Sequence, residues 1–190
     1  QMEYDRKLRD FFASERSDRT TKSAFHTNVP PMFEYAPRFF ALADAYPATE
    51  AAFRALCWIC ENIPTGASRL QTRAATDVLQ LAFRRLGGDY SQSTNFTGQF
   101  LQRASEFEEP EAESLLRQLV KTSPHHEVRG QATYYLARRL ARAEEQRASG
   151  KGESEAVALF RHVTNHFGTL AHWRGTLGEA AVRDLYEMEH

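Results

Sequence analysis

Apolar residues recur along this chain at three- and four-residue spacing, and its seven prolines and ten glycines fall mostly between those runs. No other feature constrains the fold as strongly. This spacing lines apolar side chains along one stripe of an α-helix, and such a stripe must be covered by another element. Strand signals are poor, with no sustained apolar/polar alternation and no Asn-Gly or Asp-Gly hairpin turn. The pattern predicts an all-α chain.

Walking along the chain places the helices. The first runs from about Glu3 to Ala13, with Tyr4, Leu8, Phe11 and Phe12 on one side. A polar connection from Ser14 to Asn28 follows and ends at Val29-Pro30-Pro31. A second helix spans about Met32 or Ala36 to Tyr46, with Pro37 expected in its first turn, where a missing N–H costs little. Thr49 caps a third, Glu50 to Ile63, and a fourth runs from Ser68 to Leu86 until Gly87-Gly88 ends it. A weaker helix covers about Thr94 to Phe107, and Glu109-Pro110-Glu111 opens the next. A long helix follows from His125 to about Arg147, with a solvated second half, then another from Glu153 to Phe167, closed by Gly168. Thr176-Leu177-Gly178-Glu179 is a capping box that opens a last helix, Leu177 to Met188.

Breaks at Pro47, Gly87, Pro124 and Gly168 recur at intervals of about 40 residues, the length of one helix pair in HEAT- or TPR-like arrays. Arg129-Gly130 before Ala132 and Leu136 also echoes Arg174-Gly175 before Ala180, Ala181 and Leu185. The expected architecture is antiparallel helical pairs stacked as a short HEAT/TPR-like solenoid or bundle. Residues 1–28 form an N-terminal helix and polar connection, and 29–190 the helical-pair domain.

Bulk properties exclude several function classes. With 24 basic and 25 acidic residues the net charge is −1, which argues against broad electrostatic binding of nucleic acid or an anionic membrane. No run approaches the roughly 18 apolar residues of a membrane-spanning helix, and the N-terminus lacks the apolar core of a signal peptide. Two cysteines cannot make a disulfide-dense scaffold.

Those two cysteines form Cys57-Trp58-Ile59-Cys60, a CxxC. In a redox protein the first cysteine of such a motif starts a helix, whose dipole stabilises the thiolate. Here the motif falls inside the Glu50–Ile63 helix, and two small apolar residues on a buried face is the plainer reading. His162 and His166, four apart, could meet one metal ion, with His125, His126 and His172 adding ligands in space; the HExxH glutamate is missing. Glu106, Glu108, Glu109, Glu111 and Glu113 could supply an acid/base pair, but at a helix start they favour the dipole. Arg84-Arg85 and Arg138-Arg139-Arg142 could hold an anion, though balanced neighbours suit solvated faces. Asn95-Phe96-Thr97 is formally a glycosylation sequon. Neither a Gly-rich phosphate loop nor a G-x-S-x-G nucleophile elbow occurs.

Four stretches together resemble a known family. They are Tyr35-Ala36-Pro37-Arg38-Phe39-Phe40-Ala41-Leu42-Ala43 with Tyr46-Pro47, then Ala55-Leu56-Cys57-Trp58-Ile59-Cys60-Glu61-Asn62, His126-Glu127-Val128-Arg129-Gly130-Gln131-Ala132, and Arg174-Gly175-Thr176-Leu177-Gly178-Glu179-Ala180-Ala181. This resembles the helical region preceding the redoxin domain in a group of bacterial, largely planctomycete, thioredoxin-like (TlpA/AhpC-type) proteins. The resemblance implies a chain that continues past the last helix into a redoxin domain holding the catalytic cysteines, and a periplasmic or cell-envelope setting. It assigns none of the redox residues to positions here, and it implies ordinary apolar residues where Cys57 and Cys60 stand.

The expected function is a non-catalytic helical domain that contacts a protein partner or positions its own C-terminal redoxin domain, with no cofactor. The alternatives are a redox module using Cys57 and Cys60, and a helical bundle binding metal through His162 and His166.

Overall fold

A computed structural model describes residues 31–63, 73–147 and 154–189. The N-terminal helix and polar connection expected over 1–28 lie outside the described residues, as do the first residues of the helix expected from Ser68. The described residues form eight helices: α1 (Pro31–Ala45), α2 (Glu50–Asn62), α3 (Arg73–Tyr90), α4 (Gly98–Ser105), α5 (Pro110–Thr122), α6 (His126–Arg147), α7 (Glu155–His166) and α8 (Leu177–Glu189). One small hairpin, β1 (Ala171–His172) and β2 (Gly175–Thr176), precedes α8.

Local chemistry explains the starts of four of the eight described helices. Thr49 caps α2 by accepting from the Ala52 N–H at 3.3 Å, and Thr97 caps α4 by accepting from Phe100 at 3.1 Å. Ser154 accepts from Ala156 and Val157 at the start of α7. Before α8 both halves of the capping box form: Thr176 N–H donates to Glu179 Oε2 at 2.9 Å, and Glu179 N–H to Thr176 Oγ1 at 3.2 Å. Ala48, in the turn between α1 and α2, has φ 59°, a left-handed conformation that costs a non-glycine residue about 1 kcal/mol.

Packing is successive. α1 lies on α2, α2 on α3, α3 on α5, α5 on α6, α6 on α7 and α7 on α8, while short α4 fills the space between α2, α5 and α6. One core runs through the stack, from Phe53 and Leu56 of α2, through Phe83 of α3 and Leu116 of α5, to Tyr134 of α6 and Phe160 of α7. The result is a mostly helical domain of packed helix pairs. None of the described helices is long and apolar enough to cross a membrane.

Several expectations are corrected. Pro37 is not in a first turn: α1 begins at Pro31, so Pro37 is interior, where its missing N–H leaves one helical carbonyl without its usual donor. Gly87-Gly88 does not end α3, which runs on to Tyr90. The cause is tertiary. A side chain at 87 would sit 3.7 Å from the Leu115 side chain of α5, so α3 and α5 meet closely there. One turn later Tyr90 is buried edge-on to Phe53, ring centroids 5.6 Å apart, which rewards another turn of helix.

The hairpin also went unforeseen, because two-residue strands are too short for any alternation to register. Gly175 at φ +102° permits its turn. The echo between Arg129-Gly130 and Arg174-Gly175 has no structural counterpart, since Gly130 is inside α6 and Gly175 is in β2.

Candidate functional site

The CxxC lies in the middle of α2, on the side turned inward. Cys57 is 8% exposed and Cys60 fully buried, and neither is in a disulfide. Trp58 between them points the other way, half-buried against the Phe39 ring of α1 at 4.5 Å. Burial, reinforced by the nearby Glu61 carboxylate, pushes the Cys57 thiol far above its ordinary range. Cys60 is pushed the same way, by burial first and then by Cys57 and Glu61. A thiol so placed stays protonated, whereas nucleophilic and redox chemistry use the thiolate. We expect both thiols to ignore a disulfide reagent in the folded protein and to react only on unfolding. A fast reaction of either one under native conditions would contradict that placement.

His162 and His166 stack on the surface of α7, ring centroids 4.2 Å apart and planes 28° off parallel. His166 Nδ1 lies 3.2 Å from the His162 carbonyl, so the Nδ1–H tautomer donates there. Burial, then the neighbouring His166, lowers the His162 pKa. The other described histidines have separate neighbours. His125 Nε2 is 3.0 Å from the Gln92 carbonyl, His126 packs on Phe167, and His172 on Tyr134. Among the described residues no three His, Cys, Asp or Glu side chains come together as a metal-ligand group.

The arginine-rich half of α6 is not simply solvated, which corrects the expectation for Arg138 to Arg147. Arg139 donates from one Nη to the carbonyls of Glu108 and Glu109, both at 3.1 Å, and its Nε is 3.5 Å from Glu113. Arg142 donates to the Ser105 carbonyl at 2.7 Å. These guanidinium groups satisfy the free carbonyls at the end of α4 and before α5. They line a cleft of about 550 Å³ together with Glu106 and Phe107. Elsewhere, Arg85 pairs with Asp44 at 2.6 Å, and Arg84 turns back onto the Gln80 carbonyl.

The acidic cluster divides by position. Glu111 and Glu113 occupy the first turn of α5, Glu106 pairs with Arg103 at 3.3 Å, and Glu109 is buried at the helix start. Asn95, the sequon asparagine, is exposed ahead of the Thr97 cap.

A polar group between α6 and α8 carried no sequence signal. Tyr134, 1% exposed, donates to Asp184 Oδ2 at 2.9 Å, and Arg138 Nε approaches the same oxygen at 3.5 Å. His172 packs beside it, 5.3 Å from the Tyr134 ring and 6.5 Å from Tyr135. Both His172 nitrogens are shut off from solvent without a hydrogen-bond partner. Only the fold brings residues 134, 172 and 184 together, so no spacing could have announced the group.

Burial first, then Arg183 and Arg138, lowers the His172 pKa; Asp184 opposes them weakly. The folded state thus holds this proton less tightly than the unfolded chain does. Stability should be fully present above about pH 6.5 and fall as pH drops below it toward the lowered folded value. His172→Phe should flatten that acid-side slope in melting curves, and an unchanged slope would remove His172 as its source.

Compared with protein-family models, curated proteins and solved structures, the chain matches none.

Proposed function

We propose that this is a non-catalytic helical domain that works through protein contacts, and that its helix pairs form a short HEAT/TPR-like solenoid. The observation that carries the reading is the successive packing of α1 to α8, in which each helix covers mainly its neighbours. Val182 and Tyr186 of α8 are exposed. Stacked helical pairs use their extended surfaces to bind other chains. The first helices of successive pairs start at Pro31, Arg73, His126 and Leu177, with α4 inserted in the second pair.

The partner we propose is a redoxin domain C-terminal to α8, or another protein. The basis is the resemblance to the helical region of thioredoxin-like proteins, and a periplasmic or cell-envelope setting belongs to the same proposal. Burial of Cys57 and Cys60 in α2 supports assigning them to packing, with any redox chemistry carried elsewhere. The test compares full-length protein with a version lacking this region, scoring co-purifying partners and redoxin activity. At least one should change. If neither does, the reading fails.

A further inference from the structure

Of hairpin residues 171–175, His172 alone is turned inward; Ala171, Trp173, Arg174 and Gly175 are exposed. Its ring sits edge-on to Tyr134 of α6 at 5.3 Å and tilted against Tyr135 at 6.5 Å, beside the Tyr134–Asp184 hydrogen bond that joins α6 to α8. Neither ring nitrogen reaches solvent or a hydrogen-bond partner. A neutral imidazole placed there forgoes one donated and one accepted bond that water supplies. An imidazolium forgoes two donated bonds and buries a charge as well. Packing on the two tyrosines offsets the first loss, not the second.

The surrounding charges widen that difference. Arg138 of α6 and Arg183 of α8 both oppose a positive ring. Asp184 favours one, but its Oδ2 already accepts from Tyr134 and faces Arg138. Glu106 acts on the neighbouring Tyr135. Within the hairpin Arg174 lies over Trp173, and Glu179 at the start of α8 holds the Thr176 N–H.

The strands are lightly held above a firm base. Among the described residues, one hydrogen bond ties β1 or β2 to a helix other than α8: Gln131 Nε2 donates to the Ala171 carbonyl at 3.5 Å. Below them, Leu170 N–H donates to the Phe167 carbonyl at 3.0 Å, Leu177 N–H to the Leu170 carbonyl at 2.9 Å and Gly178 N–H to the Gly168 carbonyl at 3.1 Å.

We propose that His172 is a proton-operated latch: when its imidazole takes a proton from water, the ring leaves the α6–α8 seam and residues 171–175 swing outward on that base, uncovering Tyr134 and Asp184. At neutral pH the ring is uncharged and the latch is closed. In water the ring titrates near pH 6.5, whereas burial, then Arg183 and Arg138, hold the closed ring lower. Between those two values each unit of acidification raises the open-to-closed ratio about tenfold.

Nuclear magnetic resonance on the whole chain, from about pH 7.5 to about pH 5, tests the latch. Cross-relaxation between the His172 and Tyr134 rings, strong at the upper end, should fall about tenfold as His172 titrates. Amide shifts along α6 and α7 should hold. His172→Phe and His172→Leu take up no proton at this position, so their hairpin amides should keep one set of shifts across the range.

A His172 that gains its proton with the Tyr134 contact intact overturns the proposal, because the charged ring then has an acceptor in place. A ring that stays neutral and packed to the acid end overturns it too. So does an equal response of the hairpin amides in parent and variants, which makes carboxylates the source. Loss of the ring contact together with the amide shifts of α6 and α7 is unfolding of the domain, and it equally removes the latch. The parent chain decides three of these outcomes alone, so the test stands even where a variant fails to fold.

Discussion

Gly178→Ala should destabilise the protein by about 2 kcal/mol, and Gly88→Ala should stabilise it by about 0.5 kcal/mol, although both exchange a helical glycine for a better helix former. The difference lies in what a Cβ meets. At 178 it would come 2.9 Å from both the Cα and the carbonyl oxygen of Gly168. Backbone cannot rotate aside, and this backbone is already tied in: Gly178 N–H donates to the Gly168 carbonyl at 3.1 Å and Leu177 N–H to the Leu170 carbonyl at 2.9 Å. The start of α8 would have to lift from the end of α7, loosening the fully buried Leu177 and Ala181. At 88 a Cβ meets nothing within 4 Å, so only the helix preference remains. Thermal melts should shift by about −5 °C for Gly178→Ala and slightly upward for Gly88→Ala. Shifts of the same sign would remove the close approach of α7 and α8 as an explanation.

The larger loss is expected from Phe83→Ala, about 3–5 kcal/mol. Phe83 is fully buried in α3, and its ring meets Phe107 edge-on with centroids 5.5 Å apart. Phe107 lies in the segment joining α4 to α5, so the pair holds that segment against α3. Truncation removes the ring's burial and leaves a cavity that packed helices on both sides cannot collapse. Because a domain's total stability is only about 5–15 kcal/mol, the variant should populate unfolded chain well below the parent's melting temperature. Phe83→Leu should cost much less, since it keeps most of the volume. Denaturant midpoints of the two variants measure this, and equal midpoints would show that the site tolerates a cavity.

Much of the architecture was legible in the residues. Thr49, the Glu109-Pro110-Glu111 start and the Thr176/Glu179 box mark helix beginnings because caps act within one turn, and Pro47 and Gly168 mark breaks for similarly local reasons. The candidate site was legible only as residue types. Cys57 and Cys60 could be placed inside a helix from the sequence, but their burial depends on α1, α3 and α4 closing around α2. Arg139 and Arg142 looked solvated because nothing local reveals that carbonyls from the α4–α5 connection come within reach.

Among the described residues, spacing and caps in the chain alone mark which segments become helices and which stripe of each is apolar, since both act over a few residues. Tertiary structure alone decided that α3 continues through Gly87-Gly88, that a hairpin precedes α8, that Tyr134, His172 and Asp184 converge, and that Val182 and Tyr186 remain outside. Each of those depends on which residues distant in the chain become neighbours. Helical periodicity shows that a stripe must be covered; it does not name what covers it.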